Sequence, residues 1–168
     1  MRKGLTLGLA LTLLALPASG QVQEPEALVI TAENVTASEA ERTGSEQGVS
    51  VPGDLIEYRL AFTNITDGAV SRVVLNDPIP AGLVFVPGSV TASREDVVVD
   101  YSIDGGASWS EQPVVEVEVD GQTVLRPAPA EAFTHVRWTV AGEVNPGAQL
   151  FARFRARVVG RANAGGDA

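Results

Sequence analysis

Leu150-Phe151-Ala152-Arg153-Phe154-Arg155-Ala156-Arg157-Val158 reads with a period of two. Leu150, Ala152, Phe154, Ala156 and Val158 alternate with Arg153, Arg155 and Arg157. Successive side chains of a β-strand point to opposite faces, so this stretch is a strand with one apolar and one charged face. The same period recurs upstream. Ile56, Tyr58, Leu60 and Phe62 oppose Glu57, Arg59, Ala61 and Thr63. Val97, Val99, Tyr101 and Ile103 form another set. Val115, Val117 and Val119 alternate with Glu116, Glu118 and Asp120. Val136, Trp138 and Val140 alternate with Arg137 and Thr139.

Turn formers separate these runs: Val51-Pro52-Gly53-Asp54, Asp67-Gly68, Pro78-Ile79-Pro80-Ala81-Gly82, Pro87-Gly88, Asp104-Gly105-Gly106, Asp120-Gly121 and Asn145-Pro146-Gly147. Proline presets, and glycine permits, the dihedrals of tight turns. Asp120-Gly121 between two apolar-alternating runs predicts a hairpin. Short strands at this spacing predict an all-β chain folded as an antiparallel β-sandwich. Tyr58, Phe62, Trp138 and Phe154 are its expected core.

The chain divides into four parts. Residues 1–20 read as a cleavable signal peptide: Met1-Arg2-Lys3, an apolar run from Leu5 to Leu16, then Pro17 and Ala18-Ser19-Gly20. The apolar run is about a dozen residues, short of the roughly 20 that span a bilayer. Residues 21–48 hold a first strand, near Leu28 to Val35, and a flexible acidic loop from Ser38 to Gly48. Residues 49–160 are the sandwich domain, and 161–168 a disordered tail. The expected location is outside the cytoplasm: periplasm, cell surface or extracellular space, with no membrane span once the signal is cleaved.

The chain of 168 residues has a formal charge of −9. Removing residues 1–20 removes two basic residues and leaves 10 basic against 21 acidic, a net −11. Such a surface disfavours nucleic acid as a partner. Cysteine is absent, which excludes disulfides, thiolate nucleophiles and a lipidated N-terminal cysteine. The single lysine, Lys3, leaves with the signal, and with it Schiff-base chemistry. One histidine, His135, has no metal-binding or nucleophilic companion in the sequence. The expectation is a protein that is not an enzyme and carries no cofactor.

Val51-Pro52-Gly53-Asp54, Ile56, Tyr58, Thr63-Asn64, Val73 to Leu83 and Phe85-Val86-Pro87-Gly88-Ser89 together resemble the conserved-repeat family of prokaryotic surface proteins, the domain of unknown function numbered eleven. The resemblance covers about forty residues. It implies an immunoglobulin-like sandwich of the cell envelope and carries no catalytic residues. This chain holds one copy. In the residues themselves, Asn64 ends its strand with a side chain able to bond local backbone. Asp77-Pro78-Ile79-Pro80 cannot continue a central ladder, because proline lacks the N–H, and is expected to cross between sheets.

Four features are candidate sites. Ser102, Asp104, Gly106 and Trp109 match the Asp-box pattern S-x-D-x-G-x-x-W, which resembles the structural hairpins of sialidase-like propellers. The expectation is a hairpin staple, with glycan stacking on Trp109 as the functional alternative. His135 is expected to be structural. Glu95, Asp96 and Asp100 are weak calcium candidates beside a plain acidic edge, since their spacing fits no ordered calcium loop. Arg153, Arg155 and Arg157 concentrate positive charge. They read as a ladder against Glu116 and Glu118 on a neighbouring strand or as a docking stripe for an anionic partner.

The expected function is a non-catalytic structural or interaction module of the cell envelope, with an envelope protein or glycan, or a second copy, as partner. The rivals are a self-assembling fibre or surface-layer subunit using the first strand for strand addition, and a carbohydrate-binding module.

Overall fold

The computed structural model describes residues 26–36 and 50–159. The expected signal at residues 1–20, the Ser38–Gly48 segment and the expected tail at 161–168 lie outside the described residues. Ten strands run β1 Leu28–Asn34, β2 Leu55–Thr63, β3 Val74–Pro78, β4 Leu83–Phe85, β5 Thr91–Ala92, β6 Val97–Ser102, β7 Val114–Val119, β8 Gln122–Pro127, β9 His135–Val140 and β10 Gln149–Val158. One 3-10 turn, Ala130–Ala132, precedes β9.

The fold is an all-β antiparallel sandwich. The first sheet has the order β1-β2-β10-β4, and β5 also pairs with β10. The second has the order β3-β9-β6. The ten residues of β10 alternate as the sequence does, with Leu150, Ala152, Phe154 and Ala156 buried and the arginines exposed. Phe154 pairs with Tyr58, Ala152 with Leu60 and Ala156 with Ile56, so both strands present apolar residues to one face. Leu75, Val136 and Trp138 come from the opposite sheet and join the same core. Trp138 and Phe154 are fully buried. Tyr58 and Phe62 are partly buried and pack against that core. Tyr58 stacks on Phe154 at a centroid separation of 5.0 Å. Burying a side chain the size of Phe154 contributes roughly 1.5–3 kcal/mol.

Pro78 stands at the end of β3, an edge strand, where a missing N–H removes no internal ladder bond. The chain then crosses from the second sheet to β4 in the first. Asp120 and Gly121, with φ of 51° and 73°, form the two-residue turn between β7 and β8. Positive φ at both positions matches the right-handed twist of a hairpin. β1 pairs along its whole length with β2, from Leu28 opposite Phe62 to Asn34 opposite Ile56.

Asn64 is buried at the end of β2. Its amide donates to the Gly68 and Val144 carbonyls, at 2.8 and 2.9 Å. Its side-chain oxygen accepts from the Thr66 backbone and hydroxyl. One residue thereby joins two loops at this end of the sandwich.

Candidate functional site

The outer face of the first sheet holds an ion-pair cluster beside an apolar groove. Glu57 on β2 points away from the core yet is only 1% exposed, because arginines cover it. Arg59 Nε lies 2.6 Å from Glu57 Oε1, Arg155 Nε 2.8 Å from Oε2, and Arg153 Nη1 3.8 Å from Oε1. Arg59 also reaches Glu33 on β1 at 3.4 Å. Register explains the convergence: Arg155 stands opposite Glu57 and Arg153 opposite Arg59. Burial of Glu57 disfavours its charge. The Arg155 and Arg59 hydrogen bonds outweigh this and hold its pKa below the usual glutamate value.

Beside the cluster is an open cavity of about 530 Å³, lined by Val29, Ala61, Phe151, Arg59, Arg153 and Thr91 among others. Phe151 is 51% exposed although it sits mid-sheet. Arg153 Nε donates to Thr91 Oγ1 at 2.9 Å, which fixes one guanidinium on the rim.

The arginine ladder expected against Glu116 and Glu118 is corrected here. Those carboxylates lie on β7, which among the described residues pairs only with β8, whereas β10 is flanked by β2, β4 and β5. The two-residue Asp120-Gly121 turn folds β7 back on its own partner and takes it away from β10. The counter-charge is Glu57. Arg157 instead donates to the Gly53 carbonyl at 3.1 Å.

Ser102, Asp104, Gly106 and Trp109 come together at the end of β6. Asp104 Oδ1 accepts from Ser102 Oγ at 2.7 Å and from the Ser108 backbone at 2.9 Å. The Gly106 N–H donates to Ser102 Oγ at 2.9 Å. Hydrogen bonds from the Ser108 hydroxyl and backbone and from Ser102 lower the Asp104 pKa to about 2. Gly106 has φ of 90°, a conformation that strains any residue with a Cβ, although the space beside Trp109 would admit one. Trp109 lies on the outer face of the second sheet with the Arg137 guanidinium 4.2 Å over its ring and His135 edge-on. That ring face is already engaged within the chain. His135 Nδ1 is 3.1 Å from Thr134 Oγ1.

Asp96 pairs with Arg94 and accepts from the Gly142 N–H, and Asp100 pairs with Arg137 at 2.9 Å. Each of these carboxylates is matched by a guanidinium. Among the described residues, no three His, Cys, Asp or Glu side chains converge as a metal site would need, and Glu95, Asp96 and Asp100 are not gathered into one.

Asp77 is a titratable group that sequence reading treated only as part of a crossing segment. It points into the core from β3, is 5% exposed, and its Oδ2 has no hydrogen-bond partner among the described residues. Burial raises its pKa to about 6. Burial and then the charge of Asp77 also raise the Tyr58 hydroxyl.

No family model matches this chain, and no curated protein matches it. No helix among the described residues is long and apolar enough to cross a membrane.

Proposed function

We propose that this chain is an exported, non-catalytic interaction module of the cell envelope, with an immunoglobulin-like sandwich as its scaffold. Its contact surface is the outer face of the β1-β2-β10 sheet. The observation that carries this reading is the exposed groove around Phe151, flanked by Arg59 and Arg153 and braced by buried Glu57. Concave apolar sites rimmed by a few fixed polar groups are the usual form of a recognition surface. The signal-like residues 1–20 and the resemblance of residues 51–89 to a surface-protein family support the envelope setting. Several of the candidate groups elsewhere are engaged in structural bonds. Asp104 holds a turn, Asp96 and Asp100 hold arginines, and His135 packs on Trp109 and Thr134.

The test is capture from native envelope fractions by the mature protein, comparing wild type with Phe151→Asp and with Val98→Asp on the opposite sheet. The expected result is loss of the captured partner with Phe151→Asp alone. Equal capture by wild type and Phe151→Asp would refute the assignment of this face. Export is tested by N-terminal sequencing of the released protein, which should begin at Gln21.

A further inference from the structure

The β7-β8 hairpin is unexplained by the sandwich itself. It is a two-stranded ribbon in a sheet of its own, and an isolated ribbon of this kind is at best marginally stable in water. One face is organised as a recognition element. Glu116 stands opposite Leu125, and Glu118 opposite Thr123. Directly opposite residues share a face, so two carboxylates about 7 Å apart along β7 lie beside Leu125, which faces Glu116 across the ribbon and Glu118 on the diagonal. Leu125 is 66% exposed, the highest value for a large hydrophobic side chain among the described residues.

We propose that this hairpin face docks into the Phe151 groove of a second copy of the chain. The proposal rests on the reading of that groove as the contact surface, and it names the partner. The patterns are complementary: two neighbouring carboxylates beside a leucine on the hairpin, and in the groove two guanidiniums opposite one another beside the apolar row of Val29, Ala61 and Phe151. Leu125 covers Val29, Ala61 and Phe151, while Glu116 and Glu118 meet Arg59 and Arg153. Each guanidinium has five N–H donors and uses only some of them on Glu57, Glu33 and Thr91.

A chain cannot fill its own groove. The hairpin springs from the second sheet near Phe133, which stacks on Phe85, and Phe85 pairs with Ala156. The groove opens on the outer face of the other sheet at Phe151, five residues earlier on β10. The contact is therefore heterologous and propagates head to tail unless a ring closes. The net charge of −11 without residues 1–20 opposes association, but at physiological salt repulsion beyond about 8 Å is screened while the local pairs persist.

The test is sedimentation equilibrium of the mature chain over a concentration series, using Leu125→Asp and Phe151→Asp. Leu125 lies on an exposed ribbon, so its replacement leaves the core intact. The expected result is a wild-type mass that climbs with concentration, and monomers for each variant alone. A 1:1 mixture should stop at a dimer, because only one intact groove and one intact hairpin remain per pair. A wild type that stays monomeric overturns the proposal, as does association unaffected by Leu125→Asp. Should Phe151→Asp fail to fold, the Leu125→Asp result alone decides. A monomeric wild type together with loss of envelope capture in Phe151→Asp refutes self-docking and leaves the interaction-module reading standing.

Discussion

Replacing Asp77 by Asn removes a buried charge whose pKa, about 6, stands well above its ordinary 3.8. Below 3.8 the carboxyl is protonated in both folded and unfolded chains and costs nothing. Between 3.8 and about 6 the unfolded chain ionises first, so stability falls as pH rises. Above that window the full penalty applies. At about 1.36 kcal/mol per pH unit, the gap between 3.8 and about 6 corresponds to about 3 kcal/mol. Asn matches the neutral acid in shape and carries no charge. The Asn variant should therefore be more stable than wild type by about 3 kcal/mol at pH 7, and nearly equal to it at pH 3.5. Urea denaturation followed by tryptophan fluorescence at several pH values measures this. Taking the difference between the two proteins cancels the opposite trend of Glu57, whose lowered pKa gives stability present above its ordinary 4.5 and lost as pH falls. A variant no more stable than wild type at pH 7 would show that Asp77 is solvated or partnered, and the reasoning would fail.

Three further outcomes follow from the geometry. Glu57→Gln should cost about 1–2 kcal/mol at pH 7, since the arginines it braces are half-exposed and partly rehydrate; the loss should vanish in acid, as urea midpoints will reveal. Asn64→Ala strips hydrogen bonds from the Gly68 and Val144 carbonyls and should cost about 2–4 kcal/mol by the same assay. Asp104→Ala should speed amide exchange at Gly106 and Ser108 and alter Trp109 fluorescence, with protection in β2 and β10 unchanged.

The period-two runs made the strands legible. In β10, burial follows the sequence residue by residue, and the Asp120-Gly121 turn stands where its dipeptide predicts. What alternation cannot give is which strands are neighbours. Arg153, Arg155 and Arg157 were readable as a charged face, but their partner depended on β10 lying beside β2. Glu57 looked like one more wet residue; it is covered because register sets Arg155 opposite it and Arg153 on the diagonal. Asp77 was missed for a related reason. Its place at the end of an edge strand hid the fact that its side chain faces inward. The exposed groove at Phe151 had one trace in the sequence, an aromatic on the charged face of β10.

The central claim is that the outer face of the first sheet is a contact surface in the native envelope. Hydroxyl-radical footprinting of intact cells, set against the purified monomer, tests it directly. Phe151 should be strongly labelled in the monomer and protected on cells, while Val98 on the opposite face is labelled alike in both. Equal labelling of Phe151 in the two states would contradict the claim.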